Sequence, residues 1–123
     1  MAWLLEGEAA TVRQAAETAS SGDGVAPVIF WHEVASALRN IALRGGMSLA
    51  QRGGAVAEVQ KLNIAIDAAA PPIADVLRVS DAYQLTVYDA AYLELAIRRN
   101  AALATRDAAL IQAGRKAGIA VLS

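Results

Sequence analysis

Four short apolar runs, separated by longer stretches with helical spacing, are what most limits the folds open to this chain. The runs are Val25-Ala26-Pro27, Asn63 to Asp67 with β-branched Ile64 and Ile66, Ala101 to Thr105, and Ile119 to Leu122. Strands that alternate with helices require an α/β fold with a mostly parallel sheet, because parallel neighbours can be joined only by a crossover. No glycine-rich dinucleotide fingerprint follows any of the runs, which removes the usual Rossmann reading.

The helices between them carry their own punctuation. Ala9 to Ser20 has helical periodicity and stops at Ser21-Gly22-Asp23-Gly24. Phe30, Trp31, Val34, Leu38 and Ile41 recur at three- and four-residue spacing, and Arg44-Gly45-Gly46 ends that helix. Ser48-Leu49-Ala50-Gln51 has the form of a capping box and opens a helix to about Lys61. Pro71-Pro72 starts a helix through Ala82, with proline in its tolerated first-turn position. Thr86 is the expected N-cap of a helix from Val87 to Arg99, and Asp107 to Ala117 is a helix ended by Gly118.

At 123 residues the chain suits one domain, 1–123. Its 56% apolar content and 19% charged residues exclude a disordered chain, and the lack of cysteine excludes disulfide scaffolds and thiolate metal sites. About thirty alanines favour closely packed helices. No apolar run is long enough to span a bilayer, and Glu6 and Glu8 interrupt any leader-like start. A soluble cytoplasmic domain without a membrane partner is the expectation. A net charge of −1 argues against nucleic-acid binding by bulk electrostatics, so such binding would need a local patch or a metal.

Three acids fall near strand ends and the helix starts that follow, where open parallel sheets place their ligand sites. Glu33 lies in the first turns of the helix after Val25–Pro27, at the edge of the stripe formed by Val34, Ala37 and Leu38. Asp89 lies in the first turn of its helix, with Tyr92, Leu93 and Ala96 on the same face. Asp107 follows Thr105-Arg106. Taken singly, each carboxylate is explained by a helix N-terminus or a solvated surface. Taken together, they would repel one another unless a hard cation such as Mg²⁺ or Mn²⁺ neutralised them, and such a cluster activates water for phosphoryl displacement.

Other candidates carry less. His32 is the only histidine, so histidine-based triads and zinc sites are excluded, and a helix-surface place suits it. Trp31, Tyr88 and Tyr92 read as core or interface. Arg98-Arg99 and Arg115-Lys116 close helices, where cations are favoured, as solvated residues. Arg106, beside Asp107, is the basic residue best placed to meet a phosphate.

The segments from Leu85 to Ala96 (Leu-Thr-Val-Tyr-Asp-Ala-Ala-Tyr-Leu-Glu-Leu-Ala) and from Leu103 to Leu110 (Leu-Ala-Thr-Arg-Asp-Ala-Ala-Leu) resemble the C-terminal half of PIN-domain ribonucleases. The nearest likeness is to VapC toxins of type II toxin–antitoxin pairs. Pro27 to Leu38, with Glu33-Val34, is similar to their second acidic motif, and Gly118 to Leu122 to their last strand. The resemblance implies a three-layer α/β/α domain that cleaves RNA with Mg²⁺ or Mn²⁺. It implies that Glu33, Asp89 and Asp107 ligate the metal and that Thr105 is the hydroxyl residue preceding the last acid. It further implies 5′-phosphate and 3′-hydroxyl products, a cognate antitoxin and a homodimer.

Two departures from the family pattern shape the expectations. Ser36 stands where relatives carry asparagine. Ala2-Trp3-Leu4-Leu5-Glu6-Gly7-Glu8 resembles the family's first helix, with only Met1 before it, so the central first strand and its aspartate are expected to be missing. A sheet lacking that strand should split, rearrange or accept a segment exchanged from a partner chain. Reduced or absent activity follows. The alternative function is a catalytically degenerate PIN fold that only binds an antitoxin or a second chain. A PIN nuclease outside toxin–antitoxin systems is a third reading.

Overall fold

Several of the described helices begin or end at a local hydrogen bond. A computed structural model of the chain describes residues 2–3, 24–61, 64–69, 73–105 and 107–122. The strands are β1 (Ala2–Trp3), β2 (Gly24–Pro27), β3 (Ile64–Asp67), β4 (Leu103–Ala104) and β5 (Val121–Leu122). The helices are α1 (Phe30–Leu43), α2 (Leu49–Gln60), α3 (Ile73–Tyr83), α4 (Val87–Arg99) and α5 (Ala108–Lys116). The helix expected over Ala9–Ser20 and the Pro71-Pro72 start lie outside the described residues.

The capping box at Ser48 is formed in both directions. Its hydroxyl accepts from Gln51 N–H at 3.1 Å, while the Gln51 side chain accepts from Ser48 N–H at 2.7 Å. At the other ends, four helices close with the same bond, in which the second or third N–H past the helix returns to a carbonyl five residues back. The pairs are Gly46 to Ile41, Leu85 to Ser80, Ala101 to Ala96, and Ile119 to Gly114. This closure needs a left-handed residue in between. Gly45 and Gly118 supply it at φ +74° and +77°, as their positions in the sequence lead one to expect. Gln84 and Asn100 supply it in the other two at φ 53° and 51°, positions the sequence reading did not single out.

All the ladders are parallel. β1, β4 and β5 form one three-stranded sheet in that order, with β4 in the middle, and β2 and β3 form a second, two-stranded sheet. β1 lies against β2 without sharing a ladder among the described residues. Among the described residues the ladders thus fall into two sheets, with β1 standing between β4 and β2. One expectation is corrected. Ala2-Trp3, assigned to the start of a helix, instead pairs with Leu103-Ala104 as a strand. The flank of β4 turned away from β5 would otherwise present unpaired N–H and carbonyl groups, and satisfying them outweighs a weak helical preference.

The core runs through α4. Ala90, Tyr92, Leu93, Glu94, Leu95 and Ala96 are all buried, and the helix packs on α3, α5, β1, β2 and β4. Phe30, Val34, Ala37, Leu38 and Ile41 turn one face of α1 inward, and α1 also meets α2. Phe30 and Trp31 stack edge to face at 4.8 Å. None of the described helices is long and apolar enough to cross a membrane. The α/β fold expected from the strand–helix alternation is what the chain adopts.

One close approach is testable by itself. A Cβ added at Gly114 in α5 would come within 2.9 Å of a Val121 methyl and 3.2 Å of Leu103. Gly114→Val should overpack this contact and lower stability by about 1–3 kcal/mol, seen as a lower urea midpoint with an unchanged m-value.

Candidate active site

Two helix N-termini present the acids singled out above, each by the same local device. Asp89 is in the first turn of α4, where its N–H donates to the Oγ1 of the N-cap Thr86 at 3.2 Å. Asp107 is itself the N-cap of α5: its Oδ2 accepts from Leu110 N–H at 2.8 Å, and its own N–H donates to Thr105 Oγ1 at 3.0 Å. In both cases a threonine hydroxyl fixes the backbone of the acid beside the positive end of a helix. Thr105 is buried, so in this arrangement it shapes the turn that carries Asp107. Glu33 lies half-buried in the first turn of α1. Arg106 lies outside the described residues.

Electrostatics shows which of these groups meet. Burial first, and then the charge of Asp107, push the Asp89 carboxyl above its ordinary range, while Thr86 pulls the other way. The charge of Asp107 thus acts on Asp89 across the packed helices α4 and α5. Three residues after Asp89 on the same helix, Tyr92 is fully buried. Burial, then Glu33, then Asp89 push its phenol far up, so it stays protonated. Glu33 and Asp89 thus both act on Tyr92. The three acids do not, however, close into one ligand shell. Among the described residues no group of three or more histidine, aspartate or glutamate side chains is spaced to hold a metal ion.

The remaining candidates divide. His32 is exposed on α1, as expected. Tyr88 is exposed while Tyr92 is core, and Trp31 lines an open apolar groove of about 550 Å³ with Val34, Leu38, Val56 and Val59. Arg115 and Lys116 are exposed in the last turn of α5, as expected.

A family match accounts for this arrangement. Residues 1–116 match the PIN domain model. The chain belongs to the PIN domain family. PIN domains are generally metal-dependent nucleases that use divalent ions. Among solved structures, PAE2754 from Pyrobaculum aerophilum is similar in fold, with a TM-score of 0.57 and 21% identity. The match covers 72% of the present chain and 64% of that one, so the chain spans less than two thirds of that protein's length. No curated protein matches it.

The donor chemistry of this PIN domain fits a hard divalent ion. Two carboxylates that repel each other at adjoining helix starts are oxygen ligands with a charge to be neutralised. Mg²⁺ commonly takes only one or two carboxylates and completes its shell with waters and substrate phosphate. Asp89 and Asp107 are the residues that would hold such an ion.

One feature was misread from the sequence. Arg98, expected to be solvated at a helix end, forks onto Glu94 at 2.7 and 3.2 Å and reaches Asp67 at 2.6 Å. Asp67 also accepts from Ala69 N–H at 3.1 Å, and Arg99 stands 3.7 Å away. Both acids are buried, so Arg98 neutralises charges that would otherwise be stranded. The Glu94–Arg98 spacing of four was a legible signal. The link to Asp67, thirty-one residues away, was not.

The Arg98 bond lowers the Asp67 carboxyl, reinforced by the Ala69 N–H and the charges of Arg98 and Arg99, against the opposing effect of burial. A carboxyl lowered on folding stabilises fully above its unfolded pKa, near ~4, and loses that contribution as pH falls through the folded value. Arg98→Ala should cost about 2–3 kcal/mol at pH 7, less than for a wholly buried pair because the guanidinium is 36% exposed. Denaturation from pH 7 down to pH 3 should show this gap closing below about pH 4.

Proposed function

We propose that this PIN domain is an endoribonuclease of the VapC toxin type, dependent on Mg²⁺ or Mn²⁺, with a cognate antitoxin, a homodimeric state and a cytoplasmic location. What supports the catalytic part is the placement of Asp89 and Asp107 at the starts of the packed helices α4 and α5, where the charge of Asp107 raises the Asp89 carboxyl. A bound divalent ion would supply Lewis-acid polarisation of a phosphoryl oxygen and a water of lowered pKa. Asp89 and Asp107 would hold it, with Glu33 beside them. The helix N-termini favour the negative charge these residues gather. Thr105 keeps the Asp107 turn in register through its 3.0 Å hydrogen bond. Arg106 is assigned a phosphate contact on the sequence resemblance. The toxin type, the antitoxin and the homodimer rest on the motifs around Asp89 and Asp107.

A second reading, a degenerate PIN fold that binds a partner without cleaving RNA, is favoured by one observation: no three described acids form a shell. RNA cleavage by the purified chain separates the two. The nuclease reading expects cleavage with Mg²⁺ or Mn²⁺, none with chelator, and a loss in Asp89→Asn exceeding the ~10–100-fold typical of an outer-shell change. It also expects Mn²⁺ to raise the melting temperature of the wild type and not of Asp89→Asn. Cleavage that survives chelator and the substitution sinks the metal-dependent reading, and no cleavage with either ion supports the interaction module.

A further inference from the structure

The first turn of α4 carries a ring that the core does not use. Among the tyrosine, tryptophan and phenylalanine side chains described, Tyr88 alone is exposed, at 64%, while Tyr92, one turn on along the same helix, is 0% exposed. Val87 beside it is 49% exposed, whereas Ala90 and every residue from Tyr92 to Ala96 are buried. Packing accounts for the body of the helix and leaves this apolar pair in water. One exposed aromatic residue is ordinary, so its place decides what it can do. Asp89 is the next residue, and consecutive Cα atoms stand about 3.8 Å apart. A base hangs one sugar away from its phosphate, so a ring beside an acid that meets a phosphate has a base within reach. Ala91 and Leu95, three and seven positions on and so on the face of Tyr88, line a cavity of about 170 Å³ with Val28 and Ile29. An apolar strip thus runs from Tyr88 along α4 to the end of β2. Its cavity is smaller than the ~300–1,000 Å³ of ordinary ligand pockets and too small for a docked helix about 10 Å across. The flat faces of unpaired bases suit it better than a protein segment.

We infer that Tyr88 is a stacking platform for RNA, its ring taking the face of an unpaired base next to the phosphate that Asp89 and Asp107 would meet. The inference rests on the nuclease reading above. An aromatic face accepts any base, so Tyr88 sets the strand's register at the acids without reading its sequence. Duplex RNA keeps its base faces covered and gains nothing from the ring.

Anisotropy titrations of a labelled single-stranded RNA with the whole chain, in chelator so that the strand stays intact, test this alongside thermal melting. Tyr88→Ala should raise the Kd by roughly 5–150-fold, the range for losing one stacked base, and Tyr88→Phe should bind like the wild type. The slope of affinity against salt should be the same in Tyr88→Ala, since no phosphate contact is lost. Its melting temperature should also match the wild type, because the side chain is exposed. In a series of strands that each carry one abasic nucleotide, one position should weaken the wild type and leave Tyr88→Ala unaffected, which couples the ring to a base. Abasic losses that simply add to the loss from the substitution would overturn the inference. Wild-type RNA affinity in Tyr88→Ala would overturn it too, and a lower sedimentation coefficient in that variant would then assign the ring to a protein interface. If the wild type binds no strand at all, the nuclease reading and this inference fall together. If it binds and cleaves with Mn²⁺ while Tyr88→Ala does so equally well, only this inference falls.

Discussion

The burial of α4 is the constraint on which the rest of the molecule depends. Six consecutive or near-consecutive residues of one helix are buried, and helices α3 and α5 and strands β1, β2 and β4 all pack on it. A helix enclosed on so many sides cannot turn about its axis without opening voids in a close-packed interior. Its two ends are therefore fixed together. Asp89 is held at one end beside Asp107, and Arg98 at the other is held over Asp67 and Glu94.

The two ends treat buried charge in opposite ways. At the Arg98 end, the two acids share a guanidinium and Asp67 also accepts from the Ala69 N–H, so the charge is offset within the chain. At the Asp89 end, acid acts on acid, and among the described residues the Thr86 hydroxyl at Asp89, the Leu110 N–H at Asp107 and the helix dipoles oppose the repulsion. A protein keeps an unbalanced pair of this kind where something outside the chain is meant to balance it. The balanced end stabilises the fold, and the unbalanced end carries the acids proposed to meet a cation.

Much of the fold was legible because its signals are local. Ser48-Leu49-Ala50-Gln51 contains every group needed for the capping box, so the helix start followed from four adjacent residues. Thr86 and the left-handed glycines at 45 and 118 were equally self-contained. Gln84 and Asn100 escaped notice because their left-handed conformation is imposed by where α3 and α4 must stop, and neither residue type demands it. Ala2-Trp3 was misassigned for a similar reason. Two residues carry almost no local preference, and the edge of β4 decides what they become.

The candidate site divides along the same line. The residue types and short spacings fixed that Asp89 opens a helix, that Asp107 caps one, and that Tyr92 shares a face with Asp89, since those relations lie within one or two helical turns. Only the tertiary structure decided that the charge of Asp107 acts on Asp89, that Glu33 acts on Tyr92, and that Arg98 belongs to Asp67. Those pairings join separate elements, and what selects them is the packing of α4 among its neighbours. Charge and hydrogen-bond chemistry could propose the partners. The burial of one helix chose them.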